Sequence, residues 1–385
     1  MSRKLGLTAA GAVLALSLAA CGGSGAGGTS AAGDTNAKPA DQLIGVAMPT
    51  QTSERWIADG NAVKSQLEDL GYKVDLQYAN DDIPKQQQQI DQMITNGADI
   101  LIIAAKDGTT LGSQLQSAAD AGVKVISYDR LIRNSKNVDF YVSFDNYKVG
   151  VAQATALLTG LGILKADGSE GDAKGPFNIE LFAGSLDDNN APFFFNGAMD
   201  TLKKYISDGT LVVKSGQTNI EQVATQDWSQ QKAQDRMDNL LTSAYNDGSK
   251  VNAVLSPYDG ISRGIITALQ NDGYGPTTTG GAQPMPIVTG QDAEIASVKM
   301  INDGVQSSTI FKDTRLLAEQ AVKAAQAFLK GGEPEANDTK TYDNGTKVVP
   351  SFLLPIQTVY KNDIQKVLID SGYYSADEVA KGQAK

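Results

Sequence analysis

The chain has no histidine. That excludes Ser-His-Asp and Cys-His catalysis and every histidine-based metal site. It has one cysteine, Cys21, so no disulfide can close within the chain. Its 33 lysines and arginines are outnumbered by 44 acids, giving a formal net charge of -11. Nucleic-acid phosphates need a basic footprint, and this composition does not supply one. No GxxxxGKS or GxxxxGKT pattern occurs, and no GxGxxG follows the first strand candidate, so neither phosphate cradle is encoded. The acidic pairs Asp81-Asp82 and Asp187-Asp188 lack the spacing of a calcium loop. No cofactor and no metal are expected.

What is present is ordinary globular chain. Of its 385 residues, 41% are hydrophobic and 20% charged, enough apolar mass for real cores and a length that suits two domains. The amino terminus reads as an address. Arg3 and Lys4 precede an apolar run, Leu5 to Leu18, too short to span a bilayer. The run ends in Leu18-Ala19-Ala20-Cys21, which resembles the bacterial lipobox. Residues 1–20 are therefore expected to be a lipoprotein signal peptide and Cys21 the lipidated residue. Residues 21–41, mostly Gly, Ser and Ala after the cysteine, are expected to be a flexible tether with a reach of roughly 25 Å. No second run of membrane length follows. The expected location is extracytoplasmic, with membrane contact through the lipid anchor only.

From Leu43 strand and helix patterns alternate. Strand candidates are 43–48, 73–78, 99–104, 123–128 and 138–144, with amphipathic stretches near 54–70, 85–96 and 110–121. Gly71, Gly97 and Gly122 stand where helix-ending glycines stand. After a helix at 147–163 a second series follows. Its strands are 178–183, 211–215, 251–256, 286–289 and 308–311, and its helices lie near 192–206, 230–246, 260–272, 293–302 and 314–330. The tail is extended over 347–359 and helical over 361–370. Residues 165–177 and 273–286 read as surface loops. This rhythm predicts parallel doubly wound sheets in two α/β lobes with a cleft between them. One large α/β domain is the alternative.

In open α/β sheets ligands bind beyond the carboxyl ends of the strands, and polar residues gather there. Val123 to Tyr128 runs straight into Asp129-Arg130. The carboxylate accepts and the guanidinium donates in a fixed fork, which suits a ligand that does both, such as a sugar hydroxyl. Similar groups follow other strands: Glu54-Arg55-Trp56, Asp187-Asp188-Asn189-Asn190, Asp227-Trp228, Tyr258-Asp259, Gln291-Asp292 and Lys312-Asp313. Each alone has a bland reading, as a helix cap, a turn or a core residue. Together they face one cleft. The only two tryptophans, Trp56 and Trp228, fall one in each lobe at these positions. An aromatic face matches the C–H face of a pyranose, and acids, amides, Arg and Lys match its hydroxyls.

These segments resemble the periplasmic sugar-binding proteins of ABC transporters, nearest to the multiple-sugar-binding and xylose-binding receptors. The resemblance runs through Ser53–Gly60, Tyr128–Asn134, Asp187–Ala191, Ser256–Gly260, Gly290–Glu294 and Ile310–Thr314. It implies two Rossmann-like lobes of the type I periplasmic binding protein, joined by three crossovers. Residues 42–146 and 312–349 would form one lobe, and 147–311 and 350–385 the other, with the third crossing near Pro350. It implies that Arg55, Asp129, Arg130, Asp188, Asn190, Asp292 and Lys312 hydrogen-bond the sugar and that Trp56 and Trp228 stack on its faces. Tyr258 precedes Asp259 where relatives place an asparagine, and either residue is a candidate for that contact.

The expected function is a monomeric receptor that binds an aldopentose or aldohexose and delivers it to a permease by hinge closure. Xylose, arabinose, glucose and galactose all satisfy this reading. A sugar-sensing co-receptor for a membrane kinase uses the same fold. A glycosidase is the enzymatic alternative, since Asp129, Asp188 and Asp292 offer carboxylates, but each has a cationic or amide neighbour suited to a fixed hydrogen bond. A transcription regulator is disfavoured, because no basic helix-turn-helix precedes residue 43.

Overall fold

A computed structural model describes residues 37–384. The expected signal peptide and Cys21 lie outside the described residues. The described chain begins with a short 3-10 turn, Pro39–Asp41, closed by the Gln42 N–H donating to Pro39 O. This turn lies within the expected tether.

The first series is β1 (Leu43–Met48), α1 (Glu54–Asp69), β2 (Lys73–Tyr78), α2 (Ile83–Thr95), β3 (Ile100–Ile103), α3 (Gly112–Asp120), β4 (Lys124–Tyr128) and β5 (Phe140–Phe144). All these strands pair in parallel, in the spatial order β2-β1-β3-β4-β5. Period-two alternation sends the side chains of each strand to two covered faces. Ile44, Val46, Ile100, Ile102 and Ile126 enter one core, with Val63 and Leu67 of α1. Ala47, Leu101, Ile103 and Val125 enter the other, with Ile90 of α2 and Leu115 of α3. Burying each such side chain contributes roughly 1.5–3 kcal/mol. Gly71, Gly97 and Gly122 end the three helices with φ of 88°, 83° and 77°, a conformation that glycine adopts without a Cβ penalty.

The second series is α4 (Asn146–Gly160), β6 (Phe177–Leu181), α5 (Asn190–Ser207), β7 (Leu211–Val213), the single turn α6 (Ile220–Val223), α7 (Gln230–Ala244), β8 (Ala253–Leu255), α8 (Asp259–Asn271), β9 (Gly275–Thr277), β10 (Gly280–Gln283) and β11 (Ile287–Val288). Strands β7-β6-β8-β11 form a second parallel sheet. Leu157 and Leu158 of α4 and Leu202 of α5 cover one of its faces, and Met237 of α7 with Ile265 of α8 covers the other. The expected loop at 273–286 instead carries the β9–β10 antiparallel hairpin.

The chain closes with α9 (Ile295–Asp303), β12 (Thr309–Phe311), α10 (Thr314–Leu329), β13 (Ser351–Leu354), β14 (Gln357–Val359) and α11 (Ala376–Lys381). Helix α10 returns to the first core through Leu317, Ala321 and Phe328. Strand β13 pairs in parallel with β5, so it is the sixth strand of the first sheet. This corrects the expected third crossing. The chain leaves the first sheet after Leu354, not at Pro350, and β14 then pairs antiparallel with β12. A residue that extends the edge of a parallel sheet looks like any other extended residue in sequence, because its partner is far away along the chain.

Candidate functional site

Both sheets aim their strand ends at one cleft, which holds a cavity of about 410 Å³. That lies within the range of small-molecule sites, roughly 300–1,000 Å³. Arg55, Trp56, Asp129, Arg130 and Lys312 line it from segments joined to the first sheet or its hinge, and Asp188, Asn190, Trp228, Tyr258 and Asp292 line it from the other side. Ten of the eleven residues expected to meet a sugar are thus brought together.

The floor is a charge lattice. The Arg55 Nε lies 2.9 Å from Asp59 Oδ2, and its Nη2 lies 2.6 Å from Asp129 Oδ2. Its Nη1 is 3.6 Å from Asp292 Oδ1 in the facing lobe. Lys312 bridges the same two acids, at 3.0 Å from Asp292 and 3.9 Å from Asp129. Arg130 reaches across to Asp188, with Nε 3.1 Å from Oδ2, while its Nη1 donates to the carbonyls of Ala105 and Lys106. Asn190 is fixed at both ends: its Nδ2 donates to Asp129 O at 2.9 Å, and its Oδ1 accepts from Asn146 and Tyr141.

Burial and pairing set the protonation states. Burial alone would raise the Asp129 carboxyl, but Arg55, Lys312 and Arg130 outweigh it and hold Asp129 below the ordinary carboxylate range. Burial likewise opposes charge on Arg55, and Asp129, Asp59 and Asp292 reverse that to raise it well above its usual value. Asp188 is raised by burial despite Arg130. Beneath the floor, burial pushes Asp59 up to about 6; it accepts from both Arg55 and Tyr128.

Two aromatic groups frame the lattice. Trp56 is only 5% exposed, with the guanidinium carbons of Arg55 and Arg130 at 4.6 and 5.1 Å from its ring centre, within the range of cation–π attraction. Trp228 stands edge-on to Phe194 and Tyr258, at centroid distances of 6.3 and 6.1 Å. It lies against Gly184, where a Cβ would be driven into the indole; glycine there permits the close approach. Backbone strain concentrates at the site. Asp81, Asp129, Asp227, Trp228 and Asp292 line the cavity with positive φ, a cost accepted mainly where function fixes the geometry.

Asp259 departs from expectation. It is 0% exposed and does not line the cavity. Its carboxylate accepts from Gln306 Nε2 (2.9 Å), the Glu294 N–H (2.9 Å) and Thr309 Oγ1 (3.1 Å). It is a structural tie between α8 and the loop after β11, and burial pushes it up to about 8. Tyr258, one residue earlier and still extended, is the member of the pair that faces the cleft. Its hydroxyl donates to Glu294 at 2.6 Å, and Ser53 of the first lobe donates to the same oxygen at 2.6 Å.

Several residues at the cleft escaped the sequence reading. Lys106 stands just past β3, and the strand-end rule that found Asp129 applies to it equally; it bridges Asp187 and Asp227 of the facing lobe at 2.8 and 3.1 Å. The cavity itself is lined by Thr52, Gln230 and Gln231, and by two helix residues, Phe194 and Arg263. The last two sit inside helices α5 and α8, where nothing in the local pattern separates a cavity-facing residue from an amphipathic one. Among the described residues no cluster of three or more Cys, Asp or Glu is arranged to hold a metal, and no helix is long and apolar enough to cross a membrane.

Two parallel, doubly covered sheets with a polar, aromatic-framed cavity between their strand ends define a two-lobed binding protein. The family model described as "Periplasmic binding protein domain" matches residues 44–333, and the chain belongs to that family. It is 57% identical over 336 residues to the multiple sugar-binding periplasmic receptor ChvE of Rhizobium radiobacter, covering 87% of this chain and 92% of the relative. It is 35% identical over 336 residues to the D-xylose-binding periplasmic protein of Escherichia coli K12, with the same coverage of each. Among solved structures, an ABC transporter solute-binding protein from Clostridium phytofermentans with bound β-D-glucose superposes with a TM-score of 0.81 at 48% identity, covering 88% of this chain and 100% of that one.

Proposed function

We propose that the protein is an extracytoplasmic receptor for a monosaccharide, closing its two lobes on the sugar and presenting it to an ABC permease. The observation that carries this reading is the charge lattice shared by both lobes. Arg55, Arg130 and Lys312 are already paired with Asp129, Asp188 and Asp292, so a neutral ligand enters without leaving a buried charge uncompensated. A sugar hydroxyl donates to one member of each pair and accepts from the other. The indole faces supply the apolar contact. Because the donors come from two lobes, a ligand that satisfies them all favours the closed arrangement.

The lattice argues against glycoside hydrolysis. A glycosidase needs one carboxylic acid poised to give up its proton and a second carboxylate open to attack. Asp188 is raised, but Arg130 holds one of its oxygens and the Asn190 N–H the other. Asp129 is held ionised against Arg55.

A thermal-shift screen over xylose, arabinose, glucose and galactose tests the reading, because ligand stabilisation follows RT ln(1 + [L]/Kd). At least one aldose is expected to raise the melting temperature, with calorimetry giving the affinity. No shift with any of them at millimolar concentration overturns it. Attachment through a lipid on Cys21 belongs to the same proposal and rests on the sequence motif; Cys21→Ser protein that still incorporates labelled lipid would remove it.

A further inference from the structure

We infer that the cleft, besides a free monosaccharide, accepts a sugar carrying a neutral extension at one hydroxyl, with a second, outer subsite for that extension formed by Thr52 and Asp81 of the first lobe and Gln230 and Gln231 of the second. This rests on the sugar-receptor reading and adds to it.

The lobes are in contact on two sides of the cleft. On one, the Lys106 ammonium joins Asp187 and Asp227. On the other, Ser53 and Tyr258 meet on Glu294. With both contacts made, the cavity still reaches solvent. Its charged clamp is buried, whereas Thr52, Asp81, Gln230 and Gln231 line the same cavity and are exposed. The space therefore has a closed inner end and an open outer end in a conformation whose lobes already touch.

Size points the same way. A cavity of about 410 Å³ has the volume of roughly fourteen waters at about 30 Å³ each. A single pyranose, whose atoms are bonded rather than merely touching, displaces clearly fewer. Held by the buried clamp, it leaves the outer end to be filled by something else. The chemistry there is hydroxyl and amide: Thr50 and Thr52 hydroxyls lie 3.0 Å apart, and Gln230 and Gln231 open helix α7 opposite. Such groups hydrogen-bond a polyol from either direction. An anionic extension would meet the Asp81 carboxylate. The ligand class thus extends from the free monosaccharide to its neutral glycosides and to the terminal unit of a short oligosaccharide, not to a sugar phosphate.

Calorimetry tests this with D-glucose, methyl β-D-glucopyranoside for O1, the glucobioses sophorose, laminaribiose, maltose and isomaltose for O2, O3, O4 and O6, and glucose 6-phosphate. At least one neutral derivative is expected to bind within about tenfold of glucose. Gln231→Trp, which fills the outer end, is expected to lower the ratio of that derivative's affinity to glucose affinity by tenfold or more. Glucose binding with every derivative rejected overturns the outer subsite and leaves the receptor reading standing. No binding by any of them overturns the outer subsite, and the receptor reading falls with it only where xylose, arabinose and galactose fail as well. Glucose 6-phosphate binding more tightly than all the neutral derivatives overturns the ligand class, and an unchanged ratio in Gln231→Trp overturns the placement.

Discussion

The ammonium of Lys106, in a residue 5% exposed, lies 2.8 Å from the Asp187 carboxylate of the opposite lobe. Burial disfavours the charged lysine, but Asp187 and Asp227 reverse that and raise its pKa. Arg133 donates to the Asp187 carbonyl at 3.0 Å on the same side. This bridge joins the lobes directly, without passing through any ligand.

Lys106→Met should therefore shift the open–closed balance rather than reshape the floor. Apparent affinity scales with the fraction of molecules in the binding-competent state. Every aldose should lose affinity by the same factor, roughly three- to tenfold. Titrating two aldoses of different affinity against the variant checks this, since unequal losses would mean that Lys106 touches the ligand.

Asp129→Ala should act on the floor itself. It removes the partner of Arg55 Nη2 and one of the two acids near Lys312. A hydrogen bond to a charged group contributes roughly 1.5–3 kcal/mol, so affinity should fall about ten- to a hundredfold. Calorimetry showing unchanged affinity would take Asp129 out of the site.

Trp228→Ala should weaken sugar binding by roughly 2–4 kcal/mol through lost apolar burial. The ring is half-buried and packs from the cavity side on Phe194, Tyr258 and Gly184. The sugar-free melting temperature should move little. A collapsed melt with near-normal affinity would make Trp228 a core residue instead.

Asp259 predicts a pH dependence. An aspartate titrates near 3.9 in an unfolded chain, and burial brings this one to about 8. Between those values the folded protein binds more protons than the unfolded one. The stabilisation is thus complete below about pH 4 and is lost as pH climbs through 8, with a slope approaching 1.4 kcal/mol per unit at most. Asp259→Asn should flatten that part of the profile. Melting curves of both proteins between pH 5 and 9 check it; parallel profiles would show that Asp259 does not titrate there.

The sequence was most legible where one rule acts locally. Continuous apolar runs such as Leu43–Met48 and the glycines at 71, 97 and 122 mark elements by themselves, and strand ends point at the cleft because parallel sheets align them. Legibility failed where neighbours part company. Tyr258 and Asp259 adjoin in sequence, but one is the extended residue before α8 and the other its first turn, so they face different ways. It failed again for β13, whose only mark is a partner strand ending at Phe144. Asp129-Arg130 and Lys106-Asp107 both set an acid beside a base past a strand end, but the acids that Lys106 meets, Asp187 and Asp227, are on another lobe and far along the chain.

Strand β13 also fixes an order of events in biosynthesis. Chains emerge from the amino terminus, and domains tend to fold as they appear. Here the edge of β5 waits unpaired until Ser351–Leu354 has been made, and the face that Leu317 and Phe328 cover stays open until α10 follows the entire second sheet. The second lobe is made in between, yet its β12 waits for β14, made later still. Neither lobe is finished before almost the whole chain exists. A ribosome that stops short of Ser351 therefore releases two incomplete lobes instead of one good one, each with an exposed strand edge of the kind that drives aggregation.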